Sequence, residues 1–176
     1  MENNIKNSKL YWSSFILEKI LSTQNSKVLN LSDNGIIIVP KEIGNLLNLI
    51  SLYLNCNEIK TFPIEICELL NLQILNLSNN NISNIPIQIE NLTNLQSLNL
   101  SNNQILKIQL EICKLVNLKS LFLNNNKITI LPIEIGNLLN IETLDLSYNQ
   151  ITKIPIEIGN LLNLKKLWLN DNQITI

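Results

Sequence analysis

The most nucleophilic side chains here are three thiols, Cys56, Cys67 and Cys113. A cysteine attacks as its thiolate, and forming one near neutral pH takes an adjacent base or cation. The usual base is missing, because the chain contains no histidine. The commonest general acid–base and the commonest zinc ligand are missing with it. No glycine-rich phosphate loop and no H-E-x-x-H pair occurs, so neither phosphate cradling nor zinc-assisted hydrolysis has its motif. An odd number of cysteines without regular pairing reads as free thiols in a reducing compartment. These residues predict no catalysis, no metal and no cofactor.

Four sequons are the other motif with chemical content: Asn-Leu-Ser at Asn30, Asn76 and Asn99, and Asn-Leu-Thr at Asn91. Glycosylation needs a secretory route. The opening "MENNIKNSKLYWSSFILEKIL" is no signal peptide, since its apolar stretch is short and broken by Glu18 and Lys19. The sequons therefore read as accidents of a chain rich in Asn and Ser. A cytoplasmic location is expected; a viral or bacterial effector would instead reach the host-cell cytoplasm or be secreted.

Composition narrows the partners. The chain has 176 residues, enough for one domain with a sizeable core. Net charge is −1 and every basic residue is lysine. A near-neutral chain without arginine lacks the footprint of a nucleic-acid binder. No run approaches the roughly 18 apolar residues of a membrane span. Neither nucleic acid nor membrane is expected as a partner, which leaves protein.

What must position these residues is a repeat. Asn34, Asn57, Asn80, Asn103, Asn126, Asn149 and Asn172 follow at intervals of 23, from 57 − 34 to 172 − 149. The frame around them recurs as "LYLNCNEI", "LNLSNNNI", "LNLSNNQI", "LFLNNNKI", "LDLSYNQI" and "LWLNDNQI", and continues into second halves such as "FPIEICELLN" and "IPIEIGNLLN". This is the L-x-x-L-x-L-x-x-N-x-L signature with isoleucine at the last position, and it resembles the intracellular-type leucine-rich repeat. The resemblance covers about residues 26 to 176, as about seven repeats with the last incomplete. It implies an α/β solenoid with a curved parallel sheet on the concave side and short helices or turns on the convex side.

The physics leads to the same arrangement. The two leucines of L-x-L share one strand face, and stacked copies make a parallel sheet with strands roughly 4.8 Å apart. Pro40, Pro63, Pro86, Pro132 and Pro155 stop each strand and suit the first turn of a short helix. Isoleucine and leucine three apart, as in Ile43 and Leu46, then share a helical face that closes the core. Gln109 replaces the proline in repeat four, and a looser return segment is expected there. The phased asparagines should point inward as a structural ladder. A second row, Asn48, Asn71, Asn94, Asn117, Asn140 and Asn163, precedes each strand and is expected to serve its turn in the same way. Cys67 and Cys113 share one repeat position with Gly44, Gly136 and Gly159, roughly 10 Å apart along the stack, too far for a disulfide.

Both ends of a solenoid expose core. Residues 1–25 are assigned to an N-terminal capping region. Within it, Trp12, Phe15, Ile16 and Ile20 recur at helical spacing over residues 9 to 22. A partner-binding or membrane helix is the rival reading. At the other end Leu167, Leu169 and Ile174 should have one open side, so a homodimer through that end is an expectation.

Alternation assigns the outward sheet positions: Asn30, Tyr53, Asn76, Asn99, Phe122, Asp145 and Trp168 stand between the buried leucines. Tyr148 lies three residues beyond Asp145. The resemblance implies that this concave face binds a partner. Its candidate binding residues are Tyr53, Phe122, Asp145, Tyr148 and Trp168, because aromatics are enriched where binding energy concentrates. The competing reading is cross-strand sheet packing. Lys119, Glu142 and Lys165 also align and could neutralise one another. A second apolar row, Ile64, Ile87, Leu110, Ile133 and Ile156, would form a convex stripe if it faces outward; codon drift toward isoleucine, or partial burial in the return segment, is the simpler expectation.

The whole predicts a non-catalytic module that binds another protein on the concave face, similar to the repeat regions of Ras-pathway scaffolds and plant intracellular Ras-group proteins. A secreted or host-directed adhesin and a self-assembling structural protein are the alternatives.

Overall fold

The computed structural model describes residues 14–175. Seven three-residue strands form one parallel sheet: β1 (Val28–Asn30), β2 (Ser51–Tyr53), β3 (Ile74–Asn76), β4 (Ser97–Asn99), β5 (Ser120–Phe122), β6 (Thr143–Asp145) and β7 (Lys166–Trp168). Their order in space is their order in the chain. Every pairing advances by one repeat, as in Leu75↔Leu98 and Asp145↔Trp168. A strand this short cannot stand alone; β2 to β6 are held by neighbours on both sides, and β1 and β7 by one each.

Between strands the chain returns through five-residue 3-10 segments: Lys41–Asn45, Ile64–Glu68, Ile87–Asn91, Leu110–Lys114, Ile133–Asn137 and Ile156–Asn160. The prolines do not sit inside a helical turn as expected. They occupy the residue before it, with extended backbone such as φ −67°, ψ 147° at Pro132. The carbonyl of Pro132 accepts the first hydrogen bond, from Ile135 N at 3.1 Å. A period of three is the 3-10 period, so Ile135 and Leu138 stack on one line and both are fully buried. Gln109 adopts φ −74°, ψ 142° and takes the same bond from Ile112 N at 3.1 Å. The expected loosening in repeat four is therefore absent: that turn needs an extended backbone and a carbonyl, and glutamine supplies both.

The core lies between sheet and 3-10 segments. Leucines such as Leu52, Leu54, Leu75 and Leu77 have no exposed surface, and neither do Ile66 and Ile89. An α-helix, α1 (residues 14–22), packs on the first repeat through Ile16 and Ile20. Phe15 does not join them and is 42% exposed. An i, i+4 pair defines the buried line, and Phe15 falls at its rim. Trp12 and the rest of the assigned cap before residue 14 lie outside the described residues, as does Ile176. At β7, Leu167 is 37% exposed, whereas its counterpart Leu144 is fully buried.

Candidate functional site

Two surfaces carry the side chains that core building does not use. The first is the outward face of the sheet. Its frame is the asparagine ladder. Asn103 donates to the carbonyls of Leu77 (3.0 Å), Leu100 (3.1 Å) and Ser101 (3.2 Å), while its Oδ1 accepts from Ile82 N at 2.9 Å. Asn57, Asn80, Asn126, Asn149 and Asn172 repeat the pattern. Asn34, in the first repeat, donates to the carbonyl of Ser32 at 2.6 Å. From Asn57 onward, each carboxamide thus ties its own turn to the preceding one. From Asn71 onward, the second asparagine row bonds backbone of the neighbouring coil as expected, but from the surface and not from the core. It is exposed and reaches backward, as Asn117 Nδ2 does to the carbonyl of Thr93 at 2.8 Å.

The residues that stand outward between the leucines fall into two kinds. Where the first is Asn or Asp, the residue two later is serine. Asn76 Oδ1 accepts from Ser78 N (3.0 Å) and Ser78 Oγ (2.8 Å), and Asp145 Oδ1 accepts from Ser147 N (3.0 Å) and Ser147 Oγ (2.6 Å). Asn30 with Ser32 and Asn99 with Ser101 make the same motif. Three of the sequons are thus one local hydrogen-bond motif, and not accidents of composition. Where the first residue is aromatic, at Tyr53, Phe122 and Trp168, the later one is asparagine: Asn55, Asn124 and Asn170. An aromatic ring cannot cap the turn, so these repeats give up a hydrogen bond to show a ring. The pairing of the two positions was readable in the sequence as a co-occurrence.

Phe122, Asp145 and Trp168 are in register on β5, β6 and β7. The two rings therefore flank one carboxylate, roughly 10 Å apart across two strand spacings. Trp168 is 39% exposed, and Asp145 forms no ion pair among the described residues. Tyr53 lies apart from this group on β2, next to Asn76. Beside the strands, Lys165 Nζ lies 2.8 Å from Glu142 Oε2, and that hydrogen bond holds the Glu142 carboxyl below the usual carboxylate range.

The row just beyond carries strain. Asp33, Cys56, Asn79, Asn102, Asn125, Tyr148 and Asp171 all have φ between 53° and 58°. Asn and Asp tolerate this left-handed region, but a tyrosine or cysteine pays a steric cost there. Tyr148 is nonetheless 55% exposed, in the turn three residues after Asp145. The left-handed conformation recurs in all seven repeats, so the turn imposes it and Tyr148 adopts what the frame requires.

The thiols offer little chemistry. Burial pushes Cys67 up to about 12, with Glu68 and Glu65 adding repulsion, and Cys113 likewise to about 12 beside Glu134 and Glu111. Both are protonated at neutral pH and only 2% exposed. Cys56 is exposed and free. Among the described residues no cluster of three or more potential ligands could hold a metal, and no helix is long and apolar enough to cross a membrane.

The second surface is the 3-10 side. The apolar row expected to be partly buried is exposed, from 45% at Ile64 to 88% at Ile156. A five-residue turn has one inward line, already taken by the isoleucine and leucine three apart. A further row, Leu47, Leu70, Val116, Leu139 and Leu162, is also exposed and was equally visible in the repeat spacing. A hollow of about 330 Å³ is lined by Ile130, Leu131, Ile154 and Pro155 together with Thr129, Thr152 and Lys153.

With this geometry in place, comparisons with known proteins fix the relatives. Family models for leucine-rich repeats match residues 25–46, 48–105, 93–135, 116–157 and 139–176. No curated protein matches the chain. Among solved structures, a repeat protein of Leptospira interrogans is 42% identical with a TM-score of 0.83, over 90% of this chain and 41% of that one. An internalin of Listeria monocytogenes is 30% identical with a TM-score of 0.74, over 84% of this chain and 41% of that one. The repeat ectodomain of a plant membrane receptor kinase from Arabidopsis thaliana, in complex with a Casparian strip integrity factor, is 37% identical with a TM-score of 0.73, over 77% of this chain and 17% of that one. The chain thus spans less than half the length of each of these proteins.

Proposed function

The chain belongs to the leucine-rich-repeat family, and from that premise we propose that it is a non-catalytic module binding a partner protein through the outward face of β5 to β7. The observation that carries this reading is the register of Phe122, Asp145 and Trp168, with Tyr148 exposed in the turn that follows Asp145. Two rings flanking a carboxylate that makes no ion pair among the described residues, with a third exposed ring three residues further on, can grip a segment that offers an apolar side chain and a base. The polar strands β3 and β4, whose Asn and Ser are satisfied among themselves, would contribute shape and little energy. The plant receptor kinase, crystallised with a protein factor, is a precedent for partner binding on this fold. Three free thiols favour a reducing compartment, the cytoplasm first. Recovery of the protein outside cells would favour an adhesin or host-directed effector instead.

The test is an affinity capture from source-cell lysate, read by mass spectrometry. Wild type is compared with Phe122→Asp/Trp168→Asp, after circular dichroism confirms that both are folded. A partner held by wild type and lost by the variant is the expected result. A partner held equally by both contradicts the assignment.

A further inference from the structure

The 3-10 side combines two features that the partner-binding sheet face does not use. Its aliphatic side chains are exposed in repeat register: Leu110 is 48% and Ile133 60% exposed, with Val116 at 54% and Leu139 at 58% six residues after each. Single exposed aliphatics are ordinary, but rows locked to a repeat are not. The same six segments hold seven glutamates and two lysines, Lys41 and Lys114. That is a net −5 in a chain whose total is −1. Lys114 is already engaged, 2.6 Å from Glu90. In every segment but the one carrying Gln88, a carboxylate directly follows the first residue, as in Ile64–Glu65, Leu110–Glu111 and Ile133–Glu134.

We propose that this acidic, aliphatic strip is a second docking surface, and that its occupant is a basic amphipathic α-helix of a protein partner, laid along the stack. Charge decides among occupants. A second copy would bring acid rows against acid rows, and an anionic lipid surface would be repelled in the same way. Pitch is compatible with a helix: its turns advance about 5.4 Å, against the roughly 4.8 Å between neighbouring strands on the sheet side of the same coils. Apolar anchors at i, i+3, i+4 and i+7 cover two turns, and the same spacing continued along the helix would keep an apolar face on the aliphatic rows of successive coils, with lysines or arginines on either side facing the glutamates.

The test uses two synthetic peptides of about 18 residues, five helical turns. Both carry leucines at those anchor spacings; one has lysine and the other glutamate at the remaining positions. Fluorescence anisotropy is read against the full chain, the variants Leu110→Ser/Ile133→Ser and Glu111→Lys/Glu134→Lys, and the sheet-face variant Phe122→Asp/Trp168→Asp. The lysine peptide is expected to bind wild type and the sheet-face variant alike. It should weaken at least tenfold in each 3-10 variant. The glutamate peptide and phosphatidylserine vesicles should not bind. The proposal is overturned if the lysine peptide fails to bind, if the apolar variant leaves its affinity unchanged, if both peptides bind equally, or if the vesicles bind.

Discussion

Tyr148 shows how a single residue can be kept against its own conformational preference. Its φ of 53° lies where asparagine is at ease, and asparagine holds the equivalent place at Asn79, Asn102 and Asn125. Tyr148→Asn should therefore stabilise the fold by about 1 kcal/mol, seen as a higher urea midpoint, while weakening partner capture. A variant less stable than wild type would mean that the ring contributes to packing. The thiols make a pH statement. Cys67 and Cys113 stay protonated in the fold up to about 12, whereas an unfolded thiol ionises near 9.0. The unfolded chain thus sheds protons first, so stability is full below pH 9 and falls as pH climbs toward 12. Cys67→Ala/Cys113→Ala should flatten the fall in urea midpoint between about pH 8.5 and 10.5; an unchanged slope would assign it to other groups. At this scale the asparagine ladder was legible, because identical spacing demands identical surroundings. The left-handed row was not, because the sign of φ at Tyr148 leaves no mark on the hydropathy pattern.

Among the elements, the 3-10 segments set how closely successive coils approach. Gly136 and Gly159 share one repeat position but not one environment. A Cβ at Gly136 would lie 2.6 Å from the Glu157 carbonyl oxygen, and at Gly159 it would meet nothing within 4 Å. Gly136→Ala should cost about 1–2 kcal/mol, since the next coil must give way. Gly159→Ala should not destabilise, and thermal unfolding of the two variants separates them. Equal shifts would show that backbone freedom and not coil spacing governs the site. Cys67 and Cys113 fill the same slot, and their segments pack less closely on the next than those with Gly44 and Gly136 do. Strand and return segment were both readable, from L-x-L and from the isoleucine–leucine period of three. The choice of 3-10 over α was open in the sequence, because one apolar pair three apart satisfies either helix. Gln109 misled for a related reason: proline is favoured before the turn, but the turn only requires what any extended residue offers.

Taken whole, the molecule is a frame of repeated hydrogen bonds with two unlike surfaces, aromatic on part of the sheet and acidic–aliphatic on the 3-10 side. The frame was legible because seven copies repeat it. The sheet face was legible in part: alternation placed Phe122, Asp145 and Trp168 outward, but not the Asn–Ser motif that leaves neighbouring strands self-satisfied. Of the readings open for the Ile64–Ile156 row, exposure removes partial burial, because a short turn has only one inward line. The most direct test of the central claim is the affinity of the captured partner, purified, for a set of single alanine variants. Phe122→Ala, Tyr148→Ala and Trp168→Ala should each weaken binding by about 2 kcal/mol or more, some thirtyfold. Asn76→Ala and Asn99→Ala, on the polar strands, should change it by less than about threefold. Losses concentrated at Asn76 and Asn99, with the three aromatics silent, would contradict the account.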